Sequence, residues 1–212
     1  MAVKTNRGDE RLLTKSEWVD ESEIHGNDEL VLNASVMVKA QERIFEQFTP
    51  MNSIALVSLC TSTRPYSKSP KWKTFLEVFS GVDFIVSSNG GVVPLEYESS
   101  YPYMTYDAHG QKQFDELYIV YTIRNLIRFF VLKRYDFIVF NFRPTLRNKK
   151  AGLLAGRYLK RHSHINDYAV LPSLGVYEDA AFTSMRDKLF PDIHPLVLDE
   201  MKNQIEQYRE RQ

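Results

Sequence analysis

The chain of 212 residues has one cysteine, no excess of either charge and no long apolar run. The single cysteine, Cys60, excludes an internal disulfide and a zinc site built from several cysteines. No apolar run approaches the ~18 residues that a membrane span requires, and the polar N-terminus lacks the pattern of a secretory signal. We therefore expect a cytoplasmic protein with no membrane partner, no metal site and no bound cofactor.

The neutral total hides a segregation of charge along the chain. Acidic residues outnumber basic ones over residues 1–50, whereas residues 133–161 hold nine basic residues against one acid, Asp136. A neutral protein is not a generic nucleic-acid binder, but this segregation permits a local positive surface. Because 43% of the residues are hydrophobic and 25% are charged, the chain can bury a full core.

Buried strands alternate with helices through the middle of the chain. Apolar runs rich in β-branched residues predict strands at 53–60, 82–88, 135–141 and 168–171. Helical spacing predicts helices at 29–48, 70–79, 113–133, 146–161 and 195–212, and residues 92–112 are predicted to be irregular. This order indicates a three-layer α/β/α sandwich around a short four-stranded parallel sheet. The predicted divisions are an N-terminal extension (1–49), an α/β domain (50–175) and a helical tail (176–212).

Ligands bind such sheets at the carboxyl ends of the strands, where segments 60–72, 87–96 and 141–147 begin. The first segment combines a thiol, a phenol, an arginine, two lysines and five Ser or Thr hydroxyls. Hydroxyls and backbone N–H groups at a strand-to-helix turn suit an anion or a base edge. Pro65 stiffens this loop, which is longer than the ~2–6 residues of an ordinary loop of this type. We predict that the reactive site lies here.

The other two segments allow both a functional and a structural interpretation. Ser88 and the Asn89-Gly90-Gly91 turn would read a base edge or simply reverse the chain. Asn141 and Arg143 would clamp a phosphate or a carboxylate. The basic helix that follows, with Arg147, Lys149 and Lys150, is either a phosphate-backbone track or a solvated face.

Three motifs in the same order resemble the archaeosine synthase family. Cys60-x3-Arg-Pro-Tyr-x2-Ser-x2-Trp72 is similar to that family's Pro-Cys-x3-Lys-Pro-Tyr-x2-Ser-x2-His motif. Residues 85–96 are similar to its strand and Gly-Val-Val-Pro-x-Glu segment, and Tyr101-Pro102 with Tyr106-Asp107 are similar to its Tyr-Pro…Tyr-Asp pair. The resemblance covers about residues 50–172 and implies a fold like that of uracil-DNA glycosylases.

The resemblance also implies a reaction class, in which an amine or amino acid is coupled to the nitrile of a 7-cyano-7-deazaguanine base in tRNA. Such a reaction needs a neutral attacking nitrogen, stabilisation of the developing negative nitrogen and a proton donor. We expect Cys60, Tyr66 and Asp107 to be catalytic. The expected substrate-binding residues are Arg64, Ser67, Ser69, Trp72, Ser88, Asn89, Gly90, Gly91, Glu96, Asn141 and Arg143. The residues expected to contact the polynucleotide backbone are Lys68, Lys71, Arg147, Lys149 and Lys150.

This sequence departs from the family motif at two reactive positions. Arg64 replaces the family's Lys, and because arginine stays protonated it can bind anions but cannot act as a base. Trp72 replaces the family's His and can stack on a base but cannot relay protons. Thiolate chemistry at Cys60 would draw on a positive charge from Arg64, Lys68 or Lys71.

Four interpretations therefore stay open. The chain is expected to be a base-modifying transferase acting on tRNA or DNA, with a possible protein partner that supplies nucleic-acid-binding domains. The alternatives are a phage-type DNA hypermodification enzyme acting on a modified pyrimidine, a glycosylase-like enzyme, and a non-catalytic module that binds nucleic acid or nucleotides. The first-strand loop contains no carboxylate to position water, which counts against the glycosylase.

Overall fold

The structure is a computed structural model that describes residues 8–20, 23–27, 31, 33–88, 90–109, 115–144, 146–187 and 190–212; within these ranges the side chains of 27, 107–109, 115, 117–118, 146–148 and 186–187 are not described. Its strands are β1 (His25–Asn27), β2 (Ile54–Leu59), β3 (Asp83–Ser88), β4 (Gly91–Pro94), β5 (Asp107–His109), β6 (Phe137–Asn141) and β7 (Asp167–Leu171). Its α-helices are α1 (Ser35–Gln47), α2 (Pro70–Val78), α3 (Asp115–Leu132), α4 (Leu146–His162), α5 (Leu174–Asp187) and α6 (Pro195–Arg209).

The central sheet has five strands in the order β4-β3-β2-β6-β7. The four predicted strands are present and parallel to one another. The prediction of a four-stranded, all-parallel sheet was wrong, because β4 pairs antiparallel with β3 at one edge. The predicted irregular stretch 92–112 therefore contains most of β4, and it also contains β5, which pairs with β1 in a small separate sheet.

Side chains of β6 show how the three layers are built. The Phe137 ring stacks on Tyr208 of α6 with centroids 4.5 Å apart, and Asn141, four residues on, contacts Met201 of the same helix. Phe140 points to the opposite face, where its ring lies 6.2 Å from Phe130 of α3. Because alternate strand residues face opposite sides, helices cover both faces of the sheet. The predicted α/β/α layering is confirmed.

Local sequence explains where the helices of the two layers begin and why they pack closely. The Ser69 hydroxyl caps α2 by accepting from the backbone N–H of Trp72 at 3.3 Å, and Pro70 occupies the first turn. In α4, a Cβ at Gly152 would crowd Phe142 and Val170, and a Cβ at Gly156 would run into the Tyr168 ring. The two glycines therefore let α4 lie close against the sheet.

Both chain ends contribute to the packed core. Leu12, Leu13 and Ile24 are fully buried, and so are Val197 and Met201 of α6. The division into an extension, a domain and a tail remains a prediction. Among the described residues, no helix combines the length and the apolar character needed to cross a membrane.

Candidate functional site at the carboxyl edge of the sheet

The carboxyl ends of β2 and β6 bring polar side chains to one edge of the sheet. The backbone N–H of Cys60 donates to the Ser87 carbonyl at 2.9 Å, which extends the pairing with β3 by one residue. Ser58 lies opposite Asn141 in the β2–β6 register, and its hydroxyl donates to the Asn141 side-chain oxygen at 2.9 Å. The half-buried thiol of Cys60 is thus fixed where the sheet ends.

Two adjoining cavities open at this edge, with volumes of about 270 and 290 Å³. Both are lined by Cys60, Lys71, Arg143 and Asp192. The first extends inward, and its other lining residues are Ser58, Leu59 and Asn141. The second extends outward, and its other lining residues are Thr61, Ser62, Thr63, Ser69, Pro70 and Phe190. Each volume is close to the lower limit of ~300 Å³ for small-molecule sites.

Lys71 brings a titratable amine to the thiol. Its Nζ donates to the Leu59 carbonyl at 2.6 Å, on the residue next to Cys60. The pKa of Lys71 is lowered from 10.5 to about 8, mainly by burial and also by Arg143, with Asp192 and Cys60 acting in the opposite direction. Lys71 is therefore easier to deprotonate near neutral pH than an ordinary lysine, which suits its amine to transfer a proton.

Arg143 and Asp192 form a bidentate ion pair across the cavities. The Nε and Nη2 atoms of Arg143 donate to the two Asp192 oxygens at 2.9–3.1 Å. Asp192 is buried, and its hydrogen bonds raise the pKa of Arg143. This pair ties the short 3₁₀ helix Pro191–Ile193 to the end of β6 and places a guanidinium, paired with a carboxylate, at the cavity wall.

A second cluster lies behind the loop that follows Cys60. The hydroxyls of Tyr66 and Tyr106 are 3.0 Å apart, and burial raises the pKa of both. The Arg64 guanidinium lies over both rings, 4.4 and 4.9 Å from their centroids. Its Nη1 donates to the Thr61 carbonyl within the same loop. Cation–π contacts and this hydrogen bond make Arg64 a brace for the reactive loop.

Comparison with known proteins identifies a family and a fold. The profile of a family described as a domain of unknown function, DUF5591, matches residues 37–151, which is more than half of the chain. This chain belongs to the DUF5591 family. The comparison with curated proteins gives no match.

A solved structure resembles the fold of this DUF5591 protein. The crystal structure of AF0587, a protein of unknown function, has a TM-score of 0.53 and 16% identity, and the match covers 78% of this chain. It covers 49% of the AF0587 chain, so this chain corresponds to about half of that protein. At 16% identity the similarity shows the fold alone.

The DUF5591 structure brings together several residues that the sequence predicted. Cys60, Ser69, Asn141 and Arg143 line the two cavities, and so does Lys71, which had been assigned to the polynucleotide backbone. Arg143 was predicted to clamp a phosphate or carboxylate of a ligand, but the carboxylate that it binds here is Asp192 of the same chain. Ser69 also caps α2, so its hydroxyl has a structural role as well.

Other predicted residues hold the surroundings together. The Ser88 hydroxyl donates to the Gly91 carbonyl and accepts from the Gly90 N–H, both at 3.1 Å. Gly91 has φ +112, and a Cβ there would run into Gln41, so only glycine fits this turn. These contacts favour the turn interpretation for Ser88, Gly90 and Gly91. The Ser67 N–H donates to Glu98 at 2.7 Å.

Some predicted residues lie away from the cavities. Trp72 has no exposed surface, and its ring packs against Phe75 and Phe84, so stacking on a base would require it to leave the core. Glu96 lies beside Asp83 and Pro94, at the edge of the sheet opposite Cys60. Lys68 and Lys150 are exposed on the surface, Lys149 is partly buried, and Tyr66 is buried beneath the loop.

Three residues of the predicted site have no described side chain. Asn89 lies outside the described residues, and only the backbone is described for Asp107 in β5 and Arg147 in α4. Their assigned roles stay predictions.

Sequence reasoning missed Asp192 and Phe190, which reach the site from more than 40 residues beyond β6 and lie outside the DUF5591 match. The one available signal was that Arg143 needs an anionic partner. This signal does not identify Asp192, because the sequence offers many carboxylates. Tyr106 was noted in the resemblance but was not predicted as a site residue, and its contact with Tyr66 joins positions 40 residues apart.

Proposed function

We propose that this DUF5591 protein is a base-modifying transferase of the archaeosine synthase type, coupling an amine to an activated base in a polynucleotide. The observation that carries the proposal is the grouping of Cys60, Lys71 and Arg143 around two cavities at the carboxyl edge of the sheet. A thiol, an amine of lowered pKa and a guanidinium donor held in place by Asp192 are groups that suit addition to a nitrile.

The proposed chemistry has two steps. The Cys60 sulfur bonds to the nitrile carbon, and the thiol proton passes through Lys71 to the nitrile nitrogen, giving a thioimide. The attacking amine then bonds to the same carbon, the carbon–sulfur bond breaks, and an amine proton returns to sulfur. The product is an amidine and the thiol is regenerated. Arg143 stabilises negative charge on the nitrile nitrogen while the first bond forms.

The basic helix supports a polynucleotide substrate. Helix α4 begins five residues after β6 ends, so its first turns lie towards the site edge of the sheet. At its far end, Lys160 pairs with Asp167 at 2.8 Å, at the start of β7. Lys149 and Lys150 are thus the basic residues of α4 with described side chains nearest the site. We propose that they contact the phosphate backbone, and that the fold is related to that of uracil-DNA glycosylases.

The decisive experiment uses oligonucleotides that carry one 7-cyano-7-deazaguanine, as RNA and as DNA. Purified protein is incubated with each oligonucleotide and lysine or another amine, and the nucleosides are analysed by mass spectrometry. We expect an amidine product with the wild-type protein and none with Cys60→Ala. Without an amine, intact-protein mass spectrometry should detect a thioimide adduct on the wild-type chain but not on Cys60→Ala.

Matched variants separate the alternatives. Lys73→Gln changes an exposed residue of α2 that lines neither cavity and should keep the activity. If Cys60→Ala forms product as fast as the wild type, the proposed mechanism is wrong. If the oligonucleotide binds and neither product nor adduct forms, a non-catalytic binding module is the better account.

A salt series tests the contact with the backbone. The logarithm of the affinity should fall steeply with the logarithm of salt concentration. The Lys149→Gln/Lys150→Gln variant should make this slope shallower by the amount that corresponds to about two phosphate contacts. Arg157→Gln/Arg161→Gln on the distant half of α4 is the control. Equal slopes for all three proteins would exclude the proposed track.

A further inference from the structure

The outer cavity has an aromatic wall that the proposed chemistry does not use. Phe190 lines it together with Cys60 and Lys71, and 59% of its surface is exposed. By contrast, Tyr66, Trp72 and Tyr106 are almost completely buried. An exposed phenyl ring in a concave site that also holds a reactive thiol has a face available for a ligand.

The chain anchors Phe190 firmly. Its carbonyl accepts from the Ile193 N–H at 3.0 Å, because Phe190 is the N-cap residue of the 3₁₀ helix Pro191–Ile193. Two residues further on, the bidentate pair between Asp192 and Arg143 fixes that turn to the end of β6. The ring therefore projects from a braced backbone, so binding has to order only the side chain of Phe190 and not the segment that carries it.

The rest of the cavity suits a flat heterocycle. Pro70 supplies a second apolar surface, and the hydroxyls of Thr61, Ser62, Thr63 and Ser69 supply hydrogen-bonding groups around it. A nucleobase has two apolar faces and a polar edge, and it stacks on aromatic side chains. The sequence suggested Trp72, a departure from the family motif, as a stacking residue, but that ring is enclosed by Phe75 and Phe84.

We infer that Phe190 is the stacking wall of the site and holds the face of the substrate base beside Cys60. This inference rests on the proposed function for the identity of the base. It assigns the aromatic platform to a segment outside the part of the chain that matches the DUF5591 family. Phe190 is a binding residue here and takes no part in proton transfer.

The test compares two oligonucleotide hairpins that differ at one loop position. One carries 7-cyano-7-deazaguanine there, and the other carries an abasic site. From the usual strength of base–aromatic stacking, the wild-type protein should bind the first about 5- to 150-fold more tightly. Phe190→Ala should lose most of this preference, whereas Phe190→Trp should retain it because the larger ring also stacks.

The matched control is Phe182→Ala, because Phe182 is 75% exposed on α5 and lines neither cavity. It should leave the preference unchanged. The inference is overturned if the wild type shows no preference, if Phe190→Ala keeps it, or if Phe190→Leu keeps it as well as Phe190→Trp does. Product formation is recorded in the same samples: a Phe190-dependent preference without product would remove the transferase and leave the stacking site standing.

Discussion

At the scale of single residues, the loop after Cys60 depends on buried polar groups that satisfy one another. The Tyr66 and Tyr106 hydroxyls are both enclosed, and each has the other within hydrogen-bonding distance at 3.0 Å. A buried hydroxyl without a partner costs about 1–3 kcal/mol, whereas replacing both partners by apolar groups is nearly neutral. The two hydroxyls should therefore contribute to stability as a pair, and the Tyr106 hydroxyl interacts with Arg64 and Ser88 as well.

A double-mutant cycle tests this dependence. Tyr106→Phe should lower the free energy of unfolding by about 1–3 kcal/mol, because it leaves the Tyr66 hydroxyl buried without its partner. Adding Tyr66→Phe should restore part of that loss. Urea denaturation of the four proteins measures the coupling. Strictly additive losses would mean that the two hydroxyls do not stabilise each other.

Lys71 should make stability depend on pH in a defined window. Its pKa is about 8 in the folded chain and 10.5 in the unfolded chain, so the folded state holds the charged form at a cost of roughly 3 kcal/mol. Between pH 8 and 10.5 the unfolded chain binds more protons, and wild-type stability should rise with pH. Below pH 8 the folded state carries the full cost of holding the charged form of Lys71.

Lys71→Met removes this cost together with the hydrogen bond to Leu59, worth about 1 kcal/mol. We expect the variant to be about 2 kcal/mol more stable than the wild type at pH 7, with the difference shrinking as pH rises towards 10.5. Lys73→Met, at an exposed position of the same helix, is the control for denaturation at each pH. A constant difference from pH 7 to 10 would contradict the proposed burial of the charge.

At the scale of secondary-structure elements, helix α1 completes the edge of the sheet. Gln41 donates from its side-chain nitrogen to the Val92 carbonyl and accepts from the Val92 N–H, both at 2.9 Å. The same nitrogen donates to the Tyr103 hydroxyl at 2.6 Å. These bonds satisfy backbone groups of β4 that have no further strand to pair with. One buried amide therefore joins α1, β4 and the loop that precedes β5.

Gln41→Leu should lower the free energy of unfolding by about 3 kcal/mol or more. The leucine matches the volume but leaves the Val92 backbone groups and the Tyr103 hydroxyl buried without partners. Gln47→Leu, at an exposed position of the same helix, should change stability by less than about 0.5 kcal/mol. Denaturation gives both values, and faster hydrogen exchange at Val92 would locate the effect. Equal values for the two variants would exclude the bridge.

The parts of the fold that could be predicted from the sequence are those with a strong local pattern. The four parallel strands are continuous apolar runs in the sequence, and Ser69-Pro70 marks the start of α2. Strand β4 was not predicted because it has only four residues and ends in proline. Its edge is also completed by Gln41, a partner 51 residues away in the sequence. Cys60 and Arg143 followed from their places at strand ends, whereas Asp192 and Phe190 depend on how the C-terminal segment folds back.

At the scale of the whole molecule, the C-terminal helices cover one face of the sheet and complete the site. Val197, Met201, Ile205 and Tyr208 of α6 are buried, and Tyr208 stacks on Phe137 of β6. The turn between α5 and α6 carries both Asp192 and Phe190. The same segment thus closes the core and supplies two walls of the cavity, which couples folding of the tail to formation of the site.

A chain ended after Pro172 tests that coupling. Burial of four large apolar side chains contributes about 6–12 kcal/mol, which is comparable with the ~5–15 kcal/mol by which whole domains are stable. We expect the shortened chain to lose its near-ultraviolet circular dichroism and to bind a hydrophobic dye, whereas removal of the exposed residues 210–212 should change neither. If the shortened chain instead unfolds cooperatively with a native spectrum, then residues 176–212 are a dispensable tail, and the carboxyl edge must hold its thiol and lysine without them.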